Sequence, residues 1–527
     1  CSSDLTGAAA GMLTSVNRVD GIYETEMCIS LTLIANNNLL IYTNANTDPY
    51  TNNNGSTMLG QNQTTVTSVI GSANYDIGHV FSTGGGGIAN LGCVCSSGNK
   101  ARGVTGSPAP VGDGYDVDYV AHEMGHQFSG NHSFNSQTGS CGGGNRNANT
   151  AYEPGSGITI MGYAGICGSD DLAAHSIAYF HLISLAEINT FTTTGGGSTC
   201  PVSTPTGNNA PTIATLGTWI IPYQTPFRLT ATGSDPDGDP IYYTWEEYDK
   251  GPAGAWNAPS GDAPIYRSYA PDTSATRIFP KLNYVLSNTT GKGELKPTYA
   301  RTLKFKCTIR DKKTGGGGWI YNANNVTVQC INTGTGFAVT YPNVTGITWA
   351  QNSQQTVTWN VAQSDVAPIS TPTVNILLST DGGYHFTVTL ASGVPNNGSA
   401  VITVPNNVSS SQCRIMVEGA GNVFFDINDK NLAISPASIS DNELQKGIEV
   451  FPNPANDLLN INIQKNLTGN LYVKLFDQNG KLVSSELLQL PVATDSYKMD
   501  ISKLSKGIYS LRFESDGGTY NQKVVKL

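Results

Sequence analysis

Charge is scarce in this sequence. Asp, Glu, Lys and Arg together make up 13% of its 527 residues, about half the ~25% of an ordinary globular chain. What charge there is leans acidic. A net charge of −10 and a pI near 5.2 leave none of the basic footprint on which nucleic-acid binding depends, and that class of function is excluded. No apolar run approaches the ~20 residues of a membrane-spanning helix. Paired Cys-x-x-Cys knuckles are also missing. The ten cysteines are scattered, with Cys93-Val94-Cys95 as the one close pair.

What is present fits a soluble, multidomain, extracellular protein. Hydrophobic residues at 39% suffice for real cores, and glycine is abundant at 59. The length suits about three or four domains. The chain opens at Cys1 with no visible signal peptide, so the true N-terminus is expected upstream. In an oxidising compartment several cysteines should be paired. Connectivity is not readable from sequence, and the pairs we favour are Cys95–Cys200, Cys141–Cys167 and Cys307–Cys330.

Apolar periodicity predicts helices over 6–22, 56–70, 116–128 and 172–191, with strands over 27–34, 76–81 and 88–95. Mixed structure stops at the Gly/Thr/Pro-rich stretch 192–209, the clearest boundary in the chain. Beyond it, short strands alternate with turn signals, which predicts β-sandwiches. The expected division is 1–200, 201–334, 335–437 and 443–527, with a linker at Ser435–Asn442.

Histidine, present only seven times, is concentrated where it counts. Residues 122–132 read His-Glu-Met-Gly-His-Gln-Phe-Ser-Gly-Asn-His. His122 and His126, four apart on a helix, project from one face and can share a metal. Glu123 stands beside the first ligand, where it can reach a metal-activated water without ligating. A glycine near the helix end lets the chain turn back, and His132 can supply a third nitrogen. Three neutral imidazoles on Zn²⁺ leave one position open, the layout of a catalytic site. The other histidines read blandly, His79 as a core residue and His175, His181 and His385 as non-ligands.

Over residues 6–200 the sequence resembles the metzincin metallopeptidases, and among them the reprolysin-like (adamalysin-like) branch of Bacteroidetes type. The stretch Gly157–Tyr163 resembles the Met-turn, with Met161 packing under the imidazoles. Gly87, Ile88, Ala89, Asn90 and Leu91 fall where the family has the edge strand that holds substrate. The resemblance implies a mixed twisted sheet with helices, and zinc-dependent hydrolysis of peptide bonds with Glu123 as general base. It also implies a first sheet strand and a pro-segment upstream of Cys1. Tyr163, two after the methionine, stands where some metzincins carry a tyrosine that ligates zinc or stabilises the oxyanion. The alternative is an aromatic lining the pocket wall. One departure concerns the turn, because the family has glycine three after the second histidine, whereas this chain has Ser129 and then Gly130. Either Ser129 takes a left-handed conformation, at about 1–2 kcal/mol, or the turn shifts by one residue.

The accessory regions resemble immunoglobulin-like and PKD-like sandwiches, which could hold cell-surface protein or polysaccharide. Asp235, Asp237 and Asp239 alternate as calcium-gathering carboxylates do, but equally as an ordinary Asp/Gly turn, which we favour. Trp245, Trp256 and Trp319 read as a sugar platform or, more often, as packing. Glu449–Asn456, Leu471–Lys481, Leu504–Leu511 and Lys523–Leu527 resemble the type IX secretion C-terminal sorting domain, which implies export across the outer membrane by that machinery. The expectation is a secreted zinc metalloendopeptidase acting on proteins. Its rival is a catalytically silent surface-binding protein with the same fold.

Overall fold

The computed structural model describes residues 4–527 except 85, 437–440, 465, 466, 468, 491–495 and 516. Gly85 and residues 437–440 of the linker Ser435–Asn442 therefore lie outside the described residues. Two units are defined. One comprises Cys1–Phe337 with Ala362–Ser370 and Gly421–Phe425, and the other Ala338–Val361, Thr371–Ala420 and Asp426–Leu527.

The first unit opens with α1, Leu5–Met27, capped by the Asp4 carboxylate on Gly7 N. Its buried residues Ser15, Val19, Ile22, Tyr23 and Glu26 recur at three- and four-residue steps and face the core. The helix ends on left-handed Cys28, whose N–H returns to Glu24 O. The strand predicted over 27–34 does not form. Leu31 N instead donates to the Asp20 carboxylate at 2.5 Å, and Ile29 and Leu31 pack on the core without a ladder partner.

Helix α2, Gly55–Ile70, begins at Asn54, whose side chain accepts from Thr57 N. Three short strands follow: β1 (Val80–Ser82), β2 (Gly86–Ala89) and β3 (Gly103–Gly106). Their order is β1-β3-β2, with β1 parallel and β2 antiparallel to β3, so the sheet is mixed and β2 lies at an edge. The helix predicted over 116–128 is a π-helical turn, Asp116–Ala121, running into α3, His122–Gln127. Such a π segment inside a helix often marks a functional site. Of the helix predicted over 172–191, only α4, Leu182–Thr193, forms. The residues before it pair their backbone with the segment 158–160 through Ile177 N to Ile158 O and Ile160 N to Tyr179 O.

The β-module of this unit is built on strand Arg301–Arg310, flanked by Tyr242–Glu247 on one side and by Val326–Ile331 and Trp319–Tyr321 on the other. The rings of Phe227, Tyr266, Phe279 and Phe305 pack together at its centre. Cys307 and Cys330 are both buried and unpaired, which corrects the expected disulfide. Cys330 lies opposite Arg301, six residues along the strand from Cys307, about 20 Å away at ~3.3 Å per residue. The tryptophans form no platform. Trp245 is buried, Trp256 donates to Ser169 O, and Trp319 packs on the core beside α1.

In the second unit, Ala338–Tyr341, Gln354–Asn360 and Ser399–Thr403 form one sheet, and Thr348–Ala350, Leu432–Ser435, Ser410–Gly419, Thr373–Ser379 and Val388–Pro395 pair in that order in another. The C-terminal region pairs Ile448–Phe451, Leu458–Ile463 and Ser496–Asp500 in one sheet and four longer strands in another. Leu459, Ile461 and Met499 from the first sheet share a core with Leu471, Val473, Leu511 and Phe513 from the second, which makes it a sandwich.

Candidate metal centre

Helix α3 sets His122 and His126 one turn apart, their ring centroids 4.8 Å from each other. The helix then stops on a Schellman turn, with Gly130 N bonding Gly125 O and Ser129 N bonding His126 O. Ser129 takes the left-handed position at φ +79°, and Gly130 does not. The turn is therefore not shifted, and serine carries the strain that glycine would avoid.

The chain reverses and brings His132 Nε2 to 3.0 Å from His126 Nε2. One ligating nitrogen from each of the three rings lies within 4.8 Å of the others. Every Nδ1 faces a backbone carbonyl: His122 that of Ile160 at 2.6 Å, His126 that of Gly130 at 2.7 Å, and His132 that of Asn145 at 2.6 Å. A carbonyl can only accept, so each Nδ1 carries the proton and each Nε2 turns its lone pair inward. His122 Nε2 is buried and has no hydrogen-bond partner. Three inward lone pairs, one of them orphaned, suit a borderline-soft cation such as Zn²⁺. Burial, aided by the neighbouring rings, pushes His122 well below the usual histidine range and His126 down to about 3; burial alone takes His132 down to about 4. All three are held in the neutral form that binds metal.

Glu123 is 6% exposed, and its Oε2 has no partner. Burial pushes its carboxyl up to about 8. It lies directly under β2, where a Cβ on Gly87 would overlap its carboxylate, so any larger residue there would push Glu123 aside. Met161 is fully buried, and a Cβ on Gly125 would come 2.5 Å from its sulfur. The glycine inside the His-Glu-Met-Gly-His stretch thus admits the methionine beneath the site.

The ring of Tyr163 stands 4.5 Å from that of His132, 5.4 Å from His122 and 4.7 Å from Phe134. Burial and the Glu123 charge raise its hydroxyl pKa, so it remains a donor. On the edge strand, Gly87, Ile88 and Ala89 pair with β3. Asn90 adds one more bond, to Arg102 O, and Leu91 leaves in an exposed turn. The Cys95–Cys200 and Cys141–Cys167 bridges form as expected. Asp235, Asp237 and Asp239 do come together, and one oxygen or more of each serves the turn and its neighbours, while Asp235 Oδ2 is buried without a partner. Asp235 accepts from Asp237 N and Asp239 N, Asp237 from Asn209, and Asp239 from Lys313.

Sequence reasoning missed Glu153. This buried carboxylate accepts from Ser133 Oγ at 2.6 Å, Ile158 N at 2.9 Å and Thr159 N at 3.2 Å, and also from Thr159 Oγ1. It ties the residue after His132 to the segment carrying Ile160 and Met161. A signal was available, since Glu153 is the sole acid, and Arg146 the sole base, between His132 and Met161.

Comparison with known proteins gives two family matches. Residues 2–190 match the metallo-peptidase family M12B reprolysin-like. Residues 449–527 match the secretion system C-terminal sorting domain, so the chain carries a reprolysin-like metallopeptidase domain at one end and an export tag at the other. It is a secreted or cell-surface protein. The family implies a metal, and the triad lies within the matched residues. No curated protein matches the chain significantly. Similar solved structures include an I-band fragment of titin (13% identity, covering 60% of this chain and 98% of that one, TM-score 0.20). The FN1-FN3 domains of chicken CNTN1 (12%, 60% and 98%, 0.16) and the N-terminal four Ig domains of Dscam1 isoform 9.44 (11%, 60% and 72%, 0.21) are others. No helix among the described residues is long and apolar enough to cross a membrane.

Proposed function

We propose that the chain is a zinc endopeptidase that cleaves extracellular proteins, with His122, His126 and His132 holding the metal and Glu123 as general base. The observation that carries this reading is the convergence of three Nε2 atoms whose Nδ1 partners are all occupied by backbone carbonyls. Zinc held there by His122, His126 and His132 would supply Lewis-acid polarisation of a peptide carbonyl and lower the pKa of water to about 7.

Glu123 takes the proton from the attacking water and passes it to the leaving amine. Its unpartnered Oε2 is available for both transfers. An extended peptide adds to the free edge of β2 as one more strand, where Gly86 and Gly87 are exposed and present little side-chain bulk. Tyr163 donates its hydroxyl to the oxygen that gains charge in the transition state. Residues 1–200 are the peptidase domain, 201–334 and 335–437 are sandwiches suited to surface protein or polysaccharide, and 443–527 serve the type IX export machinery.

Casein cleavage by the intact protein, read beside its zinc content, tests the reading. Glu123→Gln should keep the zinc and lose activity by a factor of about 10² or more. Cleavage that survives the substitution refutes the base, and absence of cleavage by a zinc-loaded parent favours the silent relative. Tyr163→Phe should lower kcat with little change in zinc content.

A further inference from the structure

The third histidine owes its orientation to a carbonyl in an irregular segment. His132 Nδ1 bonds Asn145 O at 2.6 Å, and residues 135–152 contain only turns and a three-residue 3₁₀ helix, Gly139–Cys141. A carbonyl in such a segment holds its place only if something else fixes the backbone. The residue after Asn145 is Arg146, the one cation of the segment. Its guanidinium donates to Asn135 Oδ1 from Nε at 3.1 Å and from Nη2 at 2.8 Å, and Nη2 also reaches Gly251 O at 3.0 Å. Asn135 returns a bond to Pro252 O at 3.1 Å. Two more contacts lie alongside. Lys250 Nζ bonds Asn149 O at 3.1 Å, and the rings of Tyr152 and Tyr248 stack at 4.1 Å.

We propose that the β-module is a positioning element of the metal centre, its Gly251 and Pro252 carbonyls anchoring Arg146 and Asn135 so that Asn145 holds His132 on the ion. The inference rests on the reading of His132 as a ligand. It assigns Arg146 a positioning role, and it makes the module part of the peptidase machinery as well as a surface for other molecules. Partners that orient a metal-ligating imidazole in this way are typically worth about 10–100-fold in metal affinity. Gly251 offers a handle on the module side. A Cβ there would collide with the backbone of Ala263, whereas one on Gly254 in the same loop meets nothing nearer than Ala258 O at 4.0 Å.

The test compares the full chain with its Arg146→Ala, Gly251→Ala and Gly254→Ala variants, each loaded with zinc and challenged with a chelator. Cobalt-substituted samples of each, read by their visible d–d spectrum, supply a readout independent of activity. Arg146→Ala and Gly251→Ala should release zinc about 10-fold or more faster and alter the cobalt spectrum. Gly254→Ala should stay within about 2-fold of the parent, as a substitution in open space does. Equal release and identical spectra in parent, Arg146→Ala and Gly251→Ala would overturn the inference and leave the metal centre standing. A parent that takes up neither metal would overturn the metal centre and this inference with it.

Discussion

Ser129 shows at single-residue scale what the site costs the fold. The helix must end immediately after His126 for His132 to return, and the Schellman turn that ends it requires a left-handed residue. This chain places serine there at φ +79°. Ser129→Gly should relieve about 1–2 kcal/mol of strain, offset by about 0.4–1 kcal/mol from the freer unfolded chain. A net gain between about 0 and 1.6 kcal/mol in urea unfolding, with unchanged zinc content, is the expected result. The clustering of the three histidines was legible in the sequence, since His122, His126 and His132 fall in one short stretch with Glu123. Glu153 and Arg146 were not, because only the fold brings their partners to them: Ser133, Ile158 and Thr159 to Glu153, and Asn135 and Gly251 to Arg146.

At the scale of elements, His79, the residue before β1, joins β3 and α3 by a half-buried polar link. His79 bonds Gln127 Oε1 at 2.8 Å through Nδ1 and Thr105 Oγ1 at 2.8 Å through Nε2. Burial pushes His79 down to about 4, against the opposing effect of its bond to Gln127. Below about pH 6.5 the unfolded chain takes up a proton at this ring that the folded protein refuses until about 4. The stability from a neutral His79 is complete above pH 6.5 and is lost as the pH falls through that window, at up to about 1.4 kcal/mol per unit. In zinc-loaded protein, the stability advantage of the parent over His79→Gln should therefore shrink between pH 6.5 and 4. An advantage that stays constant contradicts the assignment. Helix α2 came out nearly residue for residue, because its cap and apolar stripe are local. The strand predicted over 27–34 failed because a strand needs a neighbour, and periodicity cannot supply one. The Leu172–Phe191 helix failed over its first half because those backbone groups are spent on the segment that supports Met161.

On the scale of the whole molecule, composition gave the exported, multidomain character, and four short C-terminal landmarks gave the sorting domain. Composition could not reveal how the reprolysin-like domain and the β-module of the first unit are joined. Arg310, fully buried, donates to Glu26 at 3.0 Å, Thr244 at 2.9 Å and Phe180 O at 2.9 Å. Beside it Glu246 accepts from Leu182 N at 3.0 Å and caps α4 from the module side, and burial lifts that carboxyl to about 7. Arg310→Met leaves Glu26 buried without its cation and should cost about 3–5 kcal/mol in chemical unfolding. Adding Glu26→Gln should return part of that loss, whereas a cost below about 1 kcal/mol would mean that the pair does not hold the two domains together.

Zinc K-edge absorption of the purified chain tests the shared ion most directly. The account predicts one zinc per chain, with three imidazole nitrogens at about 2.0–2.1 Å and an open position filled by solvent. That signal should persist in Glu123→Gln and vanish in His126→Ala. A first shell without three imidazoles, or zinc that stays in place after His126→Ala, would contradict it.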